Sequence, residues 1–128
     1  MNNSPLGQIG VISADVINTL ELSITPETPI YIGQTNINHM ISTHNEAYIR
    51  YGAYISQIIS SPDYVGINPS DSSIEYVKEF SINNDFVKVA VRISNSGKYF
   101  ARTIYILNNQ RVSNFIRAGT LKPLTNCD

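Results

Sequence analysis

The stretch DFVKVAVRI (85–93) alternates strictly, with Val87, Val89, Val91 and Ile93 on one side and Phe86, Lys88, Ala90 and Arg92 on the other. A period of two is that of an extended strand with one apolar face and one mixed, basic face. Three further β-branched or aromatic runs accompany it: SIEYVKEF (73–80), KYFARTIYIL (98–107) and RVSNFI (111–116). The connectors SINND, SNSG and NNQ are short and rich in turn residues, so the runs predict a four-stranded antiparallel meander. The first half has a different period. SADVINTLEL (13–22) opens on a candidate N-cap, Ser13, and places Val16, Ile17 and Leu20 at helical spacing. TPETP (25–29) breaks that helix, and PIYIG (29–33) is a short β-run. TNINHMISTHNEAYIRYG (35–52) predicts one helix ended by Gly52, with Ile37, Met40, Ile41, His44 and Tyr48 at three- and four-residue steps. AYISQIISS (53–61) predicts another, stopped by Pro62, because the residue before a proline avoids helical angles. PDYVGINPSDSS reads as a loop. Helices followed by a meander predict an α+β fold, with N-terminal helices packed on a C-terminal antiparallel sheet of about four strands.

A chain of 128 residues, 42% of them hydrophobic, suits a single domain, 1–128, with a sizeable core. Mean hydropathy is −0.09, and no apolar run reaches the roughly 18 residues of a membrane span. MNNSPLGQIG lacks the basic start and apolar core of a secretory leader. The one cysteine, Cys127, excludes an internal disulfide and a cysteine-rich metal site. Both features predict a cytoplasmic protein without membrane partners, in the producing cell or in a target cell. The net charge of −1 hides an asymmetry: residues 1–85 hold two basic and nine acidic residues, and residues 86–128 hold seven basic and one acidic. The halves carry −7 and +6, so one surface can attract a polyanion, unless the halves pack together and neutralise each other.

The candidate chemistry starts from the two histidines, His39 and His44. A zinc-binding pair on a helix is spaced by four, whereas five residues rotate the second ring by about 140°. No cysteine lies near them, so no metal and no other cofactor is expected. Nucleophile elbows and phosphate-cradling glycine loops are absent from the sequence. Metal-free RNA cleavage fits better. It needs a base for the 2′-hydroxyl, an acid for the leaving 5′-oxygen, and cations or donors around the phosphorane. Histidine titrates near neutrality, Arg and Lys supply charge, and Thr and Tyr supply hydroxyls. The basic second half, with Lys78 beside it, offers Lys88, Arg92, Lys98, Tyr99, Arg102, Thr103 and Tyr105. Of these, Lys88, Arg92, Lys98 and Arg102 are candidate RNA-binding cations.

The order INHMISTH (37–44), IISSPDYVG (58–66), IEYVKEF (74–80), VKVAVRI (87–93) and YFARTIYIL (99–107) resembles the phage Barnase–EndoU–colicin–RelE-like nuclease family. That family shows a helix with His-x-x-x-x-His, a break like Asn-Pro-Asp-Tyr, then strands carrying Lys and a late Thr-x-Tyr. The resemblance covers about residues 29–107, and the break departs from the pattern as SSPDY, which keeps the Pro and Asp that the turn needs. It implies N-terminal helices with a curved antiparallel sheet. It implies a metal-independent ribonuclease, a toxin or phage-delivered effector, with RNA as substrate and an immunity or antitoxin protein as partner. It makes His39 an acid or base, and His44 the second or a structural helix residue. It sets Lys78 on the phosphate, and Thr103 and Tyr105 in one pocket. Regular alternation would turn Arg102 to the opposite face. Two other readings stand beside it: a catalytically silent RNA- or protein-binding module on the same scaffold, and an interaction protein that recruits another chain to its sheet edge.

Overall fold

The computed structural model describes residues 7–124. The elements in chain order are β1 (Gly7–Ile12), α1 (Ala14–Leu20), β2 (Thr28–Ile32), α2 (Gln34–Thr43), α3 (Asn45–Tyr51), a 3-10 turn (Gly52–Tyr54) and α4 (Ile55–Ser60). They continue with β3 (Tyr64–Ile67), β4 (Ile74–Phe80), β5 (Asp85–Ile93), β6 (Tyr99–Leu107), α5 (Asn109–Ala118) and β7 (Leu121–Pro123). The strands form one sheet in the order β1-β2-β6-β5-β4-β3-β7. Every pairing is antiparallel except β2 with β6, which run parallel over only two residue pairs, Ile30 with Tyr99 and Tyr31 with Phe100.

The alternation of β5 decides how the layers stack. Val87, Val89 and Val91 are fully buried in one core with apolar residues of α1 to α4, together with Tyr76, Ala101 and Ile104 of the neighbouring strands. α4 contributes Ile55, Ile58 and Ile59 to this core, and Ser61 before Pro62 ends that helix as the sequence predicts. Ser13 caps α1, its side chain accepting from the Val16 N–H at 3.3 Å. On the other face α5 covers only one end of the sheet, through Val112, Phe115 and Ile116 against Val77, Phe86 and Leu121. The rest of that face is open.

The α+β class holds, but the sheet is wider than four strands and draws on both halves of the chain. β1 and β2 come from the N-terminal half, and β3 lies in the stretch that reads as a loop. RVSNFI (111–116) is helical, not a strand. Asn108 caps it by accepting from the Gln110 and Arg111 N–H groups, and Gly119 ends it at φ 80°. Its apolar residues 112, 115 and 116 follow helical steps that a six-residue window does not separate from a strand. β3 and β7 escape the period-two test because they are short, at 4 and 3 residues. Their pairing depends on Gly66, whose added Cβ would come within 2.3 Å of the Thr120 carbonyl oxygen. No helix among the described residues is long and apolar enough to cross a membrane. Cys127 lies outside the described residues.

Tyr76 is fully buried, and its hydroxyl finds no hydrogen-bond partner among the described residues. A buried donor without a partner costs about 1–3 kcal/mol. Tyr76→Phe is therefore expected to raise stability by about 1 kcal/mol, read as a higher midpoint in chemical denaturation with an unchanged slope.

Candidate active site

The open face of β4, β5 and β6 carries a cleft of about 280 Å³. β5 presents Lys88, Ala90 and Arg92 to it, and β6 presents Arg102, Thr103 and Tyr105. Ala90 pairs with Thr103 but Val91 pairs with Ala101, so Arg102 is one extra residue in β6, a β-bulge. The bulge corrects the expectation from regular alternation: Arg102 lines the same cleft as Thr103 and Tyr105.

The histidines reach the cleft from the side. β2 pairs only with the first two residues of β6. Along the remainder of that strand α2 and α3 pack instead. The helix predicted through residues 35–52 is broken at His44, which adopts φ −133° and ψ 46°. The cause is local. Ser42 Oγ and Thr43 Oγ1 donate to the His39 carbonyl at 3.2 and 2.7 Å, and Asn45 Nδ2 donates to the Ile41 carbonyl at 3.2 Å. Such side chains compete with the next turn of N–H groups for helical carbonyls. The break overturns the five-residue spacing argument: the two rings stand 5.5 Å apart, at 73° to each other. His44 packs 4.3 Å from the Tyr105 ring, and His39 lines the cleft itself. Thr43 Oγ1 is also 3.3 Å from His39 Nε2. Its one proton is given to the carbonyl, so the ring is the donor in that contact. Partial burial first, and then the neighbouring His39, hold the His44 ring below its ordinary value of 6.5.

Lys88 Nζ lies 3.1 Å from Glu75 Oε2 and 4.9 Å from the centre of the Tyr105 ring. Glu75 is buried and also accepts from Asn68 Nδ2 at 3.2 Å. It pairs across the strands with Ala90, next to Lys88 on the same face. Arg92 meets Asp71 at 3.5 Å. Hydrogen bonds from the Ser73 side chain and backbone, at 2.7 and 2.9 Å, hold the Asp71 carboxyl below its usual range. Two ion pairs thus join the acidic and basic halves of the chain inside the cleft. Arg102 has no carboxylate at ion-pair distance among the described residues.

The structure therefore brings together His39, Lys88, Arg92, Arg102, Thr103 and Tyr105, with His44 against the outer side of Tyr105. It does not bring in Lys78 or Lys98. Lys78 shares a strand face with Tyr76 and donates to the Ser61 carbonyl at 2.8 Å, and Lys98 is exposed beside the β5–β6 turn. Sequence reasoning missed Glu75, Asp71 and Asn68. The one available signal was Glu75 between Ile74 and Tyr76, a carboxylate in the apolar first half of IEYVKEF. Its partner follows from the β4–β5 register, which the sequence alone does not define. Among the described residues no group of three or more His, Cys, Asp or Glu is placed to hold a metal ion.

A family model described as phage-Barnase-EndoU-ColicinE5/D-RelE like nuclease3 matches residues 7–114. No curated protein and no solved structure matches the chain.

The ring geometry sets an NMR titration. The His44 ring is expected to titrate with a midpoint below 6.5. In His39→Gln the midpoint should rise but stay below 6.5, since burial is the larger cause and persists. An unchanged midpoint would mean that the two rings are not neighbours in solution.

Proposed function

The chain belongs to the phage-Barnase-EndoU-ColicinE5/D-RelE like nuclease3 family, and from that premise we propose that it is an endoribonuclease that cuts RNA without a metal ion. The 2′-hydroxyl attacks the adjacent phosphorus, the bond to the 5′-oxygen breaks, and a 2′,3′-cyclic phosphate and a 5′-hydroxyl remain. The observation that supports this reading is the convergence of His39, a tyrosine and three cations on the open face of the sheet, with the His44 ring behind Tyr105 and 5.5 Å from His39. His44, kept neutral at neutral pH by its lowered affinity for protons, serves as base. His39, whose ring donates to Thr43, serves as acid. Lys88 replaces Lys78 as the cation on the phosphorane, steered by Glu75 and held over Tyr105. Arg92 and Arg102 bind the phosphate, and the Thr103 and Tyr105 hydroxyls donate to its oxygens. Acting as a toxin or phage-associated effector, such an enzyme needs an immunity or antitoxin protein in any cell that makes it.

Purified protein is expected to cleave mixed cellular RNA in excess EDTA and to leave cyclic phosphate ends. His39→Ala should lower kcat/KM by about 10²–10⁴, the usual contribution of a positioned acid or base. Wild type that retains RNA but leaves it whole would point to the silent binding module. Wild type that is harmless when overexpressed without an inhibitor would count against activity in the cell.

A further inference from the structure

Next to the catalytic cleft lies a second cavity, of about 370 Å³. Thr35, Asn36 and Arg102 line both, so the two adjoin along these residues. Gln34, Ser94 and Phe100 line only the second. We propose that this cavity is a nucleobase subsite, which takes one unpaired base beside the phosphate held at Arg102. The proposal rests on the RNA reading above and gives the substrate strand a path across the sheet.

Phe100 pairs across the strands with Arg92, so its ring is on the cleft side of the sheet. The bulge brings the next cation of β6, Arg102, to that same side. An aromatic wall and a guanidinium therefore stand two residues apart on one strand. The Tyr31 ring, 6.0 Å away on β2, braces Phe100 from its other neighbour. Single-stranded nucleic acid is held by this combination: a ring for the flat face of the base and a cation for the backbone beside it. The absence of a carboxylate partner for Arg102 among the described residues leaves that cation to an anionic ligand.

The opposite wall is the first turn of α2, and its amides are fixed. Gln34 Nε2 donates to Asn38 Oδ1 at 2.9 Å, which leaves Gln34 Oε1 as an acceptor. Asn36 Oδ1 accepts from the Gly33 N–H at 2.9 Å, which leaves the Asn36 amide as a donor. One donor and one acceptor across from a ring are the groups that read a base edge, whereas an aliphatic side chain would leave them without partners.

The chain contains no tryptophan, so Phe100→Trp supplies a single reporter at the subsite. Its emission, excited where tyrosine does not absorb, is followed while a 2′-deoxy oligonucleotide, which cannot be cleaved, is added. Binding is read separately from the anisotropy of a labelled strand. The expected result is a loss of emission with the intact oligonucleotide. A strand carrying an abasic residue at one position should bind without that loss, and scanning the position locates the base. In parallel, Phe100→Leu should lower kcat/KM on intact RNA by about tenfold or more, the scale of one lost base stack. On the abasic strand wild type and Phe100→Leu should cleave at matching, reduced rates. Bound oligonucleotide with unchanged emission overturns the subsite, and continued RNA cleavage by wild type then keeps the nuclease reading. Quenching without any cleavage keeps the subsite and overturns the nuclease reading. Neither binding nor cleavage overturns both.

Discussion

Val87, Val89 and Val91 of β5 leave water together, because a strand turns every second side chain to one face and that face lies under the helices. Full burial of a valine stabilises the fold by roughly 1.5–3 kcal/mol. A slip of one residue would expose all three and drive Lys88 and Arg92 into the core. This alternation anchors the rest. β4 and β6 take their register from β5, the apolar helices collect on the valine side, and the polar residues of the middle strands, Lys78 and Asp85 excepted, are left facing outward. The open face of the sheet is thus a consequence of how its opposite face is buried.

On that open face two departures from regular geometry assemble the candidate site. The bulge in β6 adds one residue and turns Arg102 toward Thr103 and Tyr105. The break at His44 ends α2 early and folds α3 back along the part of β6 that β2 leaves unpaired. Each irregularity gives up a little local regularity, and each brings a charged or titratable side chain to a place that an ideal element would deny it. Glu75 and Asp71 then temper the cations, so that Lys88 is a positioned ammonium over the Tyr105 ring and, among the described residues, Arg102 is the cleft cation with no carboxylate at ion-pair distance.

The helices of the first half, the three middle strands and the apolar side of β5 were legible because each is a run of period 3.6 or 2. The runs that failed were short or ambiguous. RVSNFI is β-branched and aromatic, its three apolar residues over six positions are too few to fix a period, and only the cap at Asn108 and Gly119 at its end settle it as a helix. β3 and β7 are too short to carry a period and are held by their neighbours in the sheet, with Gly66 giving the room. Among the residues that line or flank the cleft, His39, His44, Thr103, Tyr105, Lys88 and Arg92 were nameable from residue type and order. Glu75 was not, because nothing in IEYVKEF says which cation of the next strand lies within its reach.

What the sequence determined by itself is therefore the alternation and the chemistry it carries: an α+β chain, one basic strand face, two histidines five residues apart in a helical run, and motifs in the order of a nuclease family. What only the tertiary structure decided is which of these side chains meet. A ring-to-ring distance of 5.5 Å between His39 and His44 depends on a helix break, the direction of Arg102 on a bulge, and the exclusion of Lys78 on which face of β4 was buried. Each is set by contacts between segments distant in the chain, or by side chains competing for backbone acceptors. A one-dimensional period holds neither kind of information.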